Sequence, residues 1–568
     1  MINDTSFRRS RRDAIKTAML VLGASALPLG SLKAASRPRY RRYNAADPVH
    51  GARMLKSYAK AVRAMLALPP EDPRNWYRHA MLHTMDCPHG NWWFLPWHRG
   101  YIGWFEQICR ELSGDPEFAL PYWDWTAQPR VPDGMFDGVL DPNHHAYIGR
   151  AAHFETRFKS AVQRSGYWTQ TDKVFNRRSQ FGQLLIRRMR FAEDLWFDIM
   201  RDPNGRYFYE HPNARGVRRQ KPELGPATQD AVALKTLYPA LNARDFITFG
   251  SFKSSNHNVG AGSGILEGQP HNLIHGCVGT RDCNMRDGAG FMRSMLSSVD
   301  PIFYLHHANI DRIWDVWTRK QALRGLPTVP DGVELRTDLP DSEKSAAERA
   351  TDYYRWASEP TLFFVDAKGA PVAKTRAGDY ADIGEFDYDY QGGSGEDVVA
   401  LPMLVGRSAL AASPVVSLTG TVQNRAISTV MPGSVELILP PEVLDRMGGA
   451  SHELIAKVTL NYGSMSHAPV TLVIGGPEDA SGIGAGSPFY AATLAMFLQH
   501  ARPGSFTYTV SIAGPLNYLY ANGLLKGDGK VQLRLVHEGT MPQMGDHQGH
   551  AMGGGDIIEV EALTVESY

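Results

Sequence analysis

Cysteine is scarce in this chain of 568 residues: Cys87, Cys109, Cys277 and Cys283 are the full complement. Four thiols cannot frame a fold of this size, so packed cores must do it, and the length calls for two or three domains. Neither sign of charge dominates, with 60 Lys and Arg against 59 Asp and Glu. The chain therefore lacks the basic excess that draws a protein to nucleic acid. Long apolar runs are also missing. The stretch Thr17 to Gly30 is too short to span a bilayer, and no other stretch is apolar enough, so no stable membrane insertion is expected. An HExxH motif does not occur, which argues against the commonest zinc-hydrolase arrangement.

What is present begins at the N-terminus. Ser10-Arg11-Arg12-Asp13-Ala14-Ile15-Lys16 resembles a twin-arginine export signal, with small residues near Ala34 and Ala35 for cleavage. Residues 1–35 are read as that signal, which sends the mature protein to the periplasm or outside the cell. Cys277 and Cys283 bracket the short loop CVGTRDC, and an oxidising compartment allows them to join. Cys109 in FEQICREL reads as a core residue.

Helical spacing of apolar residues runs from Pro48 to Leu68, where Pro69-Pro70 stops it. Further helices are expected at Trp76–His83, Trp97–Leu112, Ser179–Met200, Pro270–Cys277 and Ile302–Arg319, with long loops between them. Beyond residue 400 the pattern changes to short β-branched or alternating runs (SVELILP, ELIAKVTLNY, PVTLVIGG, FTYTVSIAG, VQLRLVHEG, IIEVEALTV) bounded by Gly and Pro. One helix-like insert, SPFYAATLAMFLQHA, interrupts them. The expected organisation is multidomain: a mainly α-helical core over 36–390, a linker at 391–400 carrying QGGSGED, and a β-sandwich over 401–568.

The histidines fall in two clusters. Residues 87–101 read CPHGNWWFLPWHRGY, with His89 and His98 among aromatics. Downstream, LEGQPHNLIHG holds His271 and His275 at i, i+4, one face of a helix, and DPIFYLHHANIDRIW holds the adjacent pair His306 and His307. Adjacent helical residues diverge by about 100°, so one of that pair is expected to face the same metal. A set of imidazoles suits copper, zinc or iron, and the lack of carboxylates argues against Mg²⁺, Ca²⁺ or a carboxylate-bridged iron pair. Two clusters of about three imidazoles each point to two copper ions.

At these residues the chain resembles the tyrosinase family of type-3 copper proteins: tyrosinases, catechol oxidases and molluscan haemocyanins. HGNWWFLPWHRGYIGWFE is similar to the family's copper-A signature, DPIFYLHHANIDRIW to its copper-B signature, and YDY at 388–390 to its closing tyrosine motif. The resemblance implies a four-helix copper site, with His83, His89 and His98 on copper A and His271, His275 and His307 on copper B. His83 is favoured over His79, which lies one turn earlier on the same segment. The resemblance further implies a thioether from Cys87 to His89. It places Phe303 across the copper pair, His306 beside the ligands, and Asp311 in hydrogen bonds that orient a ring or an arginine. Glu267 and Asn272 would hold a water that takes the proton of a phenol.

The implied reaction is o-hydroxylation of monophenols, oxidation of o-diphenols to o-quinones, or both, with small phenols and O2 as partners. Catechol oxidase, o-aminophenol oxidase and a haemocyanin-like oxygen carrier stay open as alternatives. The β-rich domain is expected to sit over the pocket with one aromatic in the substrate's place, Tyr518, Phe489 or Tyr490. The segment MPQMGDHQGHAM reads as a flexible polar loop or a copper-loading site.

Overall fold

The structure is a computed structural model that describes residues 38–170, 191–201, 214–254, 257, 259–280, 283, 290–294, 296–331, 339–400, 416–428, 430–447, 453–463, 468–480, 482–497, 504–525, 527–538 and 558–568. The export signal, most of the Ser179–Met200 segment and the Met- and His-containing loop at 541–552 lie outside the described residues. From Tyr40 to Tyr568 the chain forms one compact unit. Among the described residues no helix is long and apolar enough to cross a membrane.

Five helical stretches carry the first half. Helix α1 (His50–Ala67) buries Met54, Tyr58, Ala61, Val62 and Met65, the stripe that its sequence spacing dictates. Helix α2 (Trp76–Asp86) is capped by Asn75, whose side chain accepts from the amides of Tyr77 and Arg78, and it is buried on all sides. Helix α3 (Phe94–Ser113) ends at Gly114 in the left-handed region. Pro270 cannot supply an amide to a regular helical ladder, and the chain makes a π-turn at Glu267–His271 before α4 (Asn272–Val278). Helix α5 (Ile302–Arg324) runs through the core and stops at Gly325. The expected helix at Ser179–Met200 survives in the described residues as Ala192–Arg201.

A buried ionic knot ties the two ends of this helical part. Strand β1 (Tyr40–Arg42) pairs in parallel with β3 (Tyr388–Tyr390). Arg42 donates to Glu106 at 2.7 Å and to Asp311 at 3.2 Å, and its guanidinium lies 3.6 Å from the Tyr388 ring centre. Arg99 donates to Asp311 at 2.6 Å, and the hydroxyls of Tyr388 and Tyr390 add two more donors to the same carboxylate. Asp311 is held ionised because these partners outweigh its burial, so its pKa lies below the ordinary aspartate value.

The second half is a sandwich. One sheet has the order β10-β9-β12-β7-β5, with β5 (Thr421–Asn424), β7 (Gly433–Ile438), β9 (Val470–Ile474), β10 (Tyr490–Leu494) and β12 (Lys530–His537). The other has the order β2-β11-β8-β13-β4, with β2 (Gly262–Ser263), β4 (Val416–Thr419), β8 (Leu454–Tyr462), β11 (Gly504–Ser511) and β13 (Ile558–Ser567), and β6 (Ala426–Ile427) pairs beside β13. Alternate residues of β8 and β12 are buried, the period-two pattern of strands with one face on a core. Strand β2 belongs to the helical half: Gly262 and Ser263 pair in parallel with Thr507 and Tyr508, so the core lends the sandwich an edge strand.

The helix-like reading of SPFYAATLAMFLQHA is corrected over Tyr490–Leu494. These residues form β10, with Thr493 opposite Thr471 and Leu494 opposite Val470. The helix propensity of Ala and Leu yields to cross-strand burial on an existing sheet. The stretch at 391–397 lies tied along the helical half, with Ser394 N donating to Asp124 and Arg312 donating to the Ser394 carbonyl.

Lys320 marks the seam between the halves. Its ammonium donates to Asn242 Oδ1, and Asn242 in turn donates to Glu453 Oε1 at 3.0 Å. Burial, helped by neighbouring Arg324, pulls its pKa down from 10.5 to about 7. A lysine with a depressed folded pKa contributes stability that is present above the unfolded pKa and lost as pH falls through the folded one. Relative to Lys320→Met, the natural protein should therefore gain stability as pH rises from 7 to 10. Urea unfolding of both at pH 6, 8 and 10 checks this, and a constant difference between them would refute it.

Candidate metal centre

Two groups of buried ligand atoms form at the middle of the helical half. His83 on α2, Cys87 and His89 on the loop after it, and His98 on α3 have their ligand atoms within 4.8 Å of one another. His271, His275, His306 and His307 form the second group under the same limit. The groups face each other: the His98 and His307 rings stack at 4.2 Å, and His89 and His271 lie 5.3 Å apart. His79, by contrast, stacks on Tyr101 at 4.7 Å, one turn away from the group that holds His83.

The ring nitrogens fit a metal pair. His98 donates Nδ1–H to the Phe94 carbonyl at 2.8 Å, His275 to the Met292 carbonyl at 2.7 Å, and His271 to Asn272 Oδ1 at 2.9 Å. Each bond fixes the tautomer and leaves Nε2 with a bare lone pair. His271 Nε2 is buried with no hydrogen-bond partner, and the Nε2 atoms of His275 and His307 point at each other at 3.3 Å. Burial pushes His98 down to about 3 and His275 to about 4, and takes His271, His306 and His307 well below the ordinary histidine value. The rings are thus neutral at physiological pH, the form that binds metal. Such nitrogens in a dry core are costly unless an ion completes them.

His307 faces the gap between the groups, stacked on His98 and packed on Phe303 at 4.1 Å. His306 lies 5.2 Å from His275, 5.4 Å from His271 and 5.5 Å from Trp125, and among the described residues neither of its nitrogens has a hydrogen-bond partner. Phe303 also lies 4.9 Å from His83 and 5.8 Å from His275, so its ring spans both groups. Cys87 Sγ is 3.0 Å from Nδ1 and 3.7 Å from Nε2 of His89, against the ring edge where Cε1 sits between the two nitrogens. Burial pushes the thiol's pKa up, which disfavours a thiolate ligand.

Glu267 is buried on the π-turn. Gly90 N–H donates to its Oε1 at 2.7 Å and Ser251 Oγ–H donates to its Oε2. Burial raises it to about 8 against the pull of both donors. Asn272 is engaged at both ends, with Oδ1 on His271 and Nδ2–H donated to the Ala495 carbonyl at 3.0 Å. Asp311 reaches no histidine and holds Arg42 and Arg99 in the knot already described.

The aromatic at the centre is one that the sequence did not single out. Phe497, just past β10, is buried with its ring 4.5 Å from His89 and 4.6 Å from His275. Of the expected candidates, Tyr490 is buried on Thr493, Phe489 packs edge-on against Tyr518, and Tyr518 is 37% exposed on the helix Ala513–Ala521. None of the three occupies the centre. Gln269 and Ser251 were also missed; Gln269 acts through Thr493, far away in the chain, and Ser251 through Glu267, 16 residues on. Cys277 and Cys283 are joined as a disulfide, while Cys87 and Cys109 are buried and take no part in a disulfide among the described residues.

Residues 64–320 match the model of the common central domain of tyrosinase. These residues carry the tyrosinase family's common central domain. The family's pair of copper ions is what the two histidine groups fit. Among its relatives, (+)-larreatricin hydroxylase of Larrea tridentata is 29% identical over 292 residues, 48% of this chain and 39% of that one. Polyphenol oxidase II of Ipomoea batatas is 24% identical over 356 residues, 59% of this chain and 47% of that one. A tyrosinase of Hahella sp. is 25% identical over 339 residues, 52% of this chain and 57% of that one. The chain thus spans roughly half the length of these relatives. A solved structure of latent aurone synthase, a polyphenol oxidase, shares the fold at 19% identity with a TM-score of 0.52, covering 94% of this chain and 90% of that one.

Both members of the adjacent pair lie in the second group, and His307 is the one stacked on a ring of the first. His307→Ala should lower bound copper from two ions per chain to one, whereas His306→Ala should keep two. Metal analysis after copper loading and dialysis decides it; loss of copper from the His306 variant alone would reverse the assignment.

Proposed function

We propose that this chain is a binuclear copper oxidoreductase that converts phenols and catechols to o-quinones with O2. The domain division goes with the proposal: an export signal over 1–35, a copper domain over 36–390, a connection over 391–400 and a β-rich domain over 401–568. His83, His89 and His98 hold one ion and His271, His275 and His307 the other. A thioether from Cys87 fixes the His89 ring. When bound, a copper pair supplies O2 with two electrons together.

The observation that carries the reading is the ring of Phe497 lodged between His89 and His275. An aromatic ring fits against these imidazoles, and a phenol is the reactant that would lie there. The chain's own residues account for the rest. A monophenol arrives protonated, with a pKa of about 10, and Glu267 with Asn272 hold the water that takes the proton. The carboxyl group of Glu267 is anchored by Gly90 and Ser251, and Asn272 regains its amide for that water once the Ala495 carbonyl leaves. Catechols lose a proton more readily and depend on this less. Monophenol hydroxylation is the finer part of the proposal; the alternative outcome is a catechol or o-aminophenol oxidase with weak hydroxylation, and a haemocyanin-like carrier would turn over neither.

Phe497 also implies a latent enzyme, because the ring stands where substrate must go. Export to the periplasm or beyond is supported by the twin-arginine stretch and by the Cys277–Cys283 bond, which oxidising compartments preserve.

Oxygen uptake by the copper-loaded full chain with tyrosine, L-DOPA and o-aminophenol tests the activity, and uptake with none of them would end the proposal. Glu267→Gln should lower monophenol turnover by about 10²-fold or more, in the range of general-base effects, with a much smaller loss on diphenols. Equal losses would instead indicate damage to the metal centre. Burial of a phenylalanine is worth about 1.5–3 kcal/mol. Phe497→Ala should therefore raise turnover of small catechols roughly 10- to 100-fold, and unchanged turnover would show that the ring does not control access.

A further inference from the structure

Residues 493–497 cross the mouth of the pocket as a peptide, held by two side-chain amides on the π-turn and α4. Gln269 Nε2–H donates to the Thr493 carbonyl at 3.3 Å, and Asn272 Nδ2–H donates to the Ala495 carbonyl at 3.0 Å. In extended backbone, carbonyls two residues apart face the same side, so one flank of the pocket can read this pair. The Ala495 side chain packs on a small apolar patch of Ala227, Ala231 and Leu273. Two residues further on, the Phe497 ring enters between the histidines. The mouth therefore reads main-chain groups four and two residues before the ring, and a small side chain at the second of these positions.

We infer that this pocket takes a phenol presented on a polypeptide: a tyrosine in an extended segment, its ring where Phe497 lies and its preceding carbonyls on Gln269 and Asn272. This rests on the phenol-oxidising reading and names its substrate class. A free tyrosine has no carbonyl four residues away for Gln269 to hold. Both donors are almost wholly buried, Gln269 at 4% and Asn272 at 5% exposure, so an occupant that leaves them unpaired forfeits binding.

The test uses the full chain and two substrates: acetyl-Thr-Leu-Ala-Met-Tyr-amide, which copies residues 493–496 ahead of a tyrosine, and 4-methylphenol. Both require the segment at 493–497 to withdraw, so the opening equilibrium cancels in the ratio of their kcat/KM values. Gln269→Ala loosens the resident segment and the incoming peptide alike. While the closed form dominates, kcat/KM should rise roughly fivefold for 4-methylphenol, the effect of one hydrogen bond, and stay unchanged for the peptide. Gln269→Met carries the same expectation should the alanine variant fold poorly. A readout without turnover is fluorescence anisotropy of labelled acetyl-Thr-Leu-Ala-Met-Phe-amide, whose apparent affinity should be equal for the natural chain and the variant. If Gln269 serves the resident segment alone, both substrates gain fivefold and the labelled peptide binds about fivefold tighter, which overturns the inference. No measurable peptide binding to either protein overturns it too. A chain that oxidises neither substrate removes the proposed activity, and the anisotropy comparison still decides the peptide site.

Discussion

A dry core that holds this many neutral imidazoles depends on something to complete their nitrogens. Backbone carbonyls and one carboxamide take the Nδ1–H of His98, His275 and His271, which turns the remaining nitrogens inward. Nothing among the described residues satisfies His271 Nε2, and the two Nε2 atoms of His275 and His307 face each other across 3.3 Å. Removed from water, such groups are costly unless something pairs them, and the arrangement fits a metal pair. The helices, their caps and the π-turn at Pro270 serve that placement.

The parts of the site that lie close together in sequence are legible there, and the parts assembled from afar are not. His271 and His275 announce a shared face by their four-residue spacing, and the HxxxH on α4 needs no tertiary knowledge. The preference for His83 over His79 comes from family resemblance; in the fold His83 lies in the first group and His79 stacks one turn away on Tyr101. Ser251, Gln269 and Phe497 carried no such mark. Each matters through a partner in another segment, and Phe497 sits in a stretch whose Ala and Leu content reads as helix until β9 pairs with it. The aromatic candidates near glycines, Phe489 and Tyr518, pack on each other because loop composition says where a chain can turn and nothing about which ring is drawn inward.

Around the centre the structure separates rigidity from access. Asp311 gathers Arg42, Arg99, Tyr388 and Tyr390 into one buried knot, fixing α5 and α3 against both ends of the helical half. Removing one partner from such a cluster leaves buried charge uncompensated, at several kcal/mol, so the knot is not a place for motion. The pocket is covered instead by a short run at the end of β10, held by two ordinary hydrogen bonds and one ring. Contacts of that strength can be exchanged without disturbing the frame.

The borrowed edge strand has a bearing on how the two halves are joined. Strand β11, starting at Gly504, finds one of its neighbours in Gly262–Ser263, and those residues lie in the loop whose amides bond to the Gly90 carbonyl beside His89. The two halves therefore cannot be parted without leaving the backbone groups of β11 that Gly262 and Ser263 satisfy as an open sheet edge. The cover is joined to the frame through main-chain pairing beside the histidines as well as through the connecting chain, so the loop next to His89 and the sandwich hold one another in place.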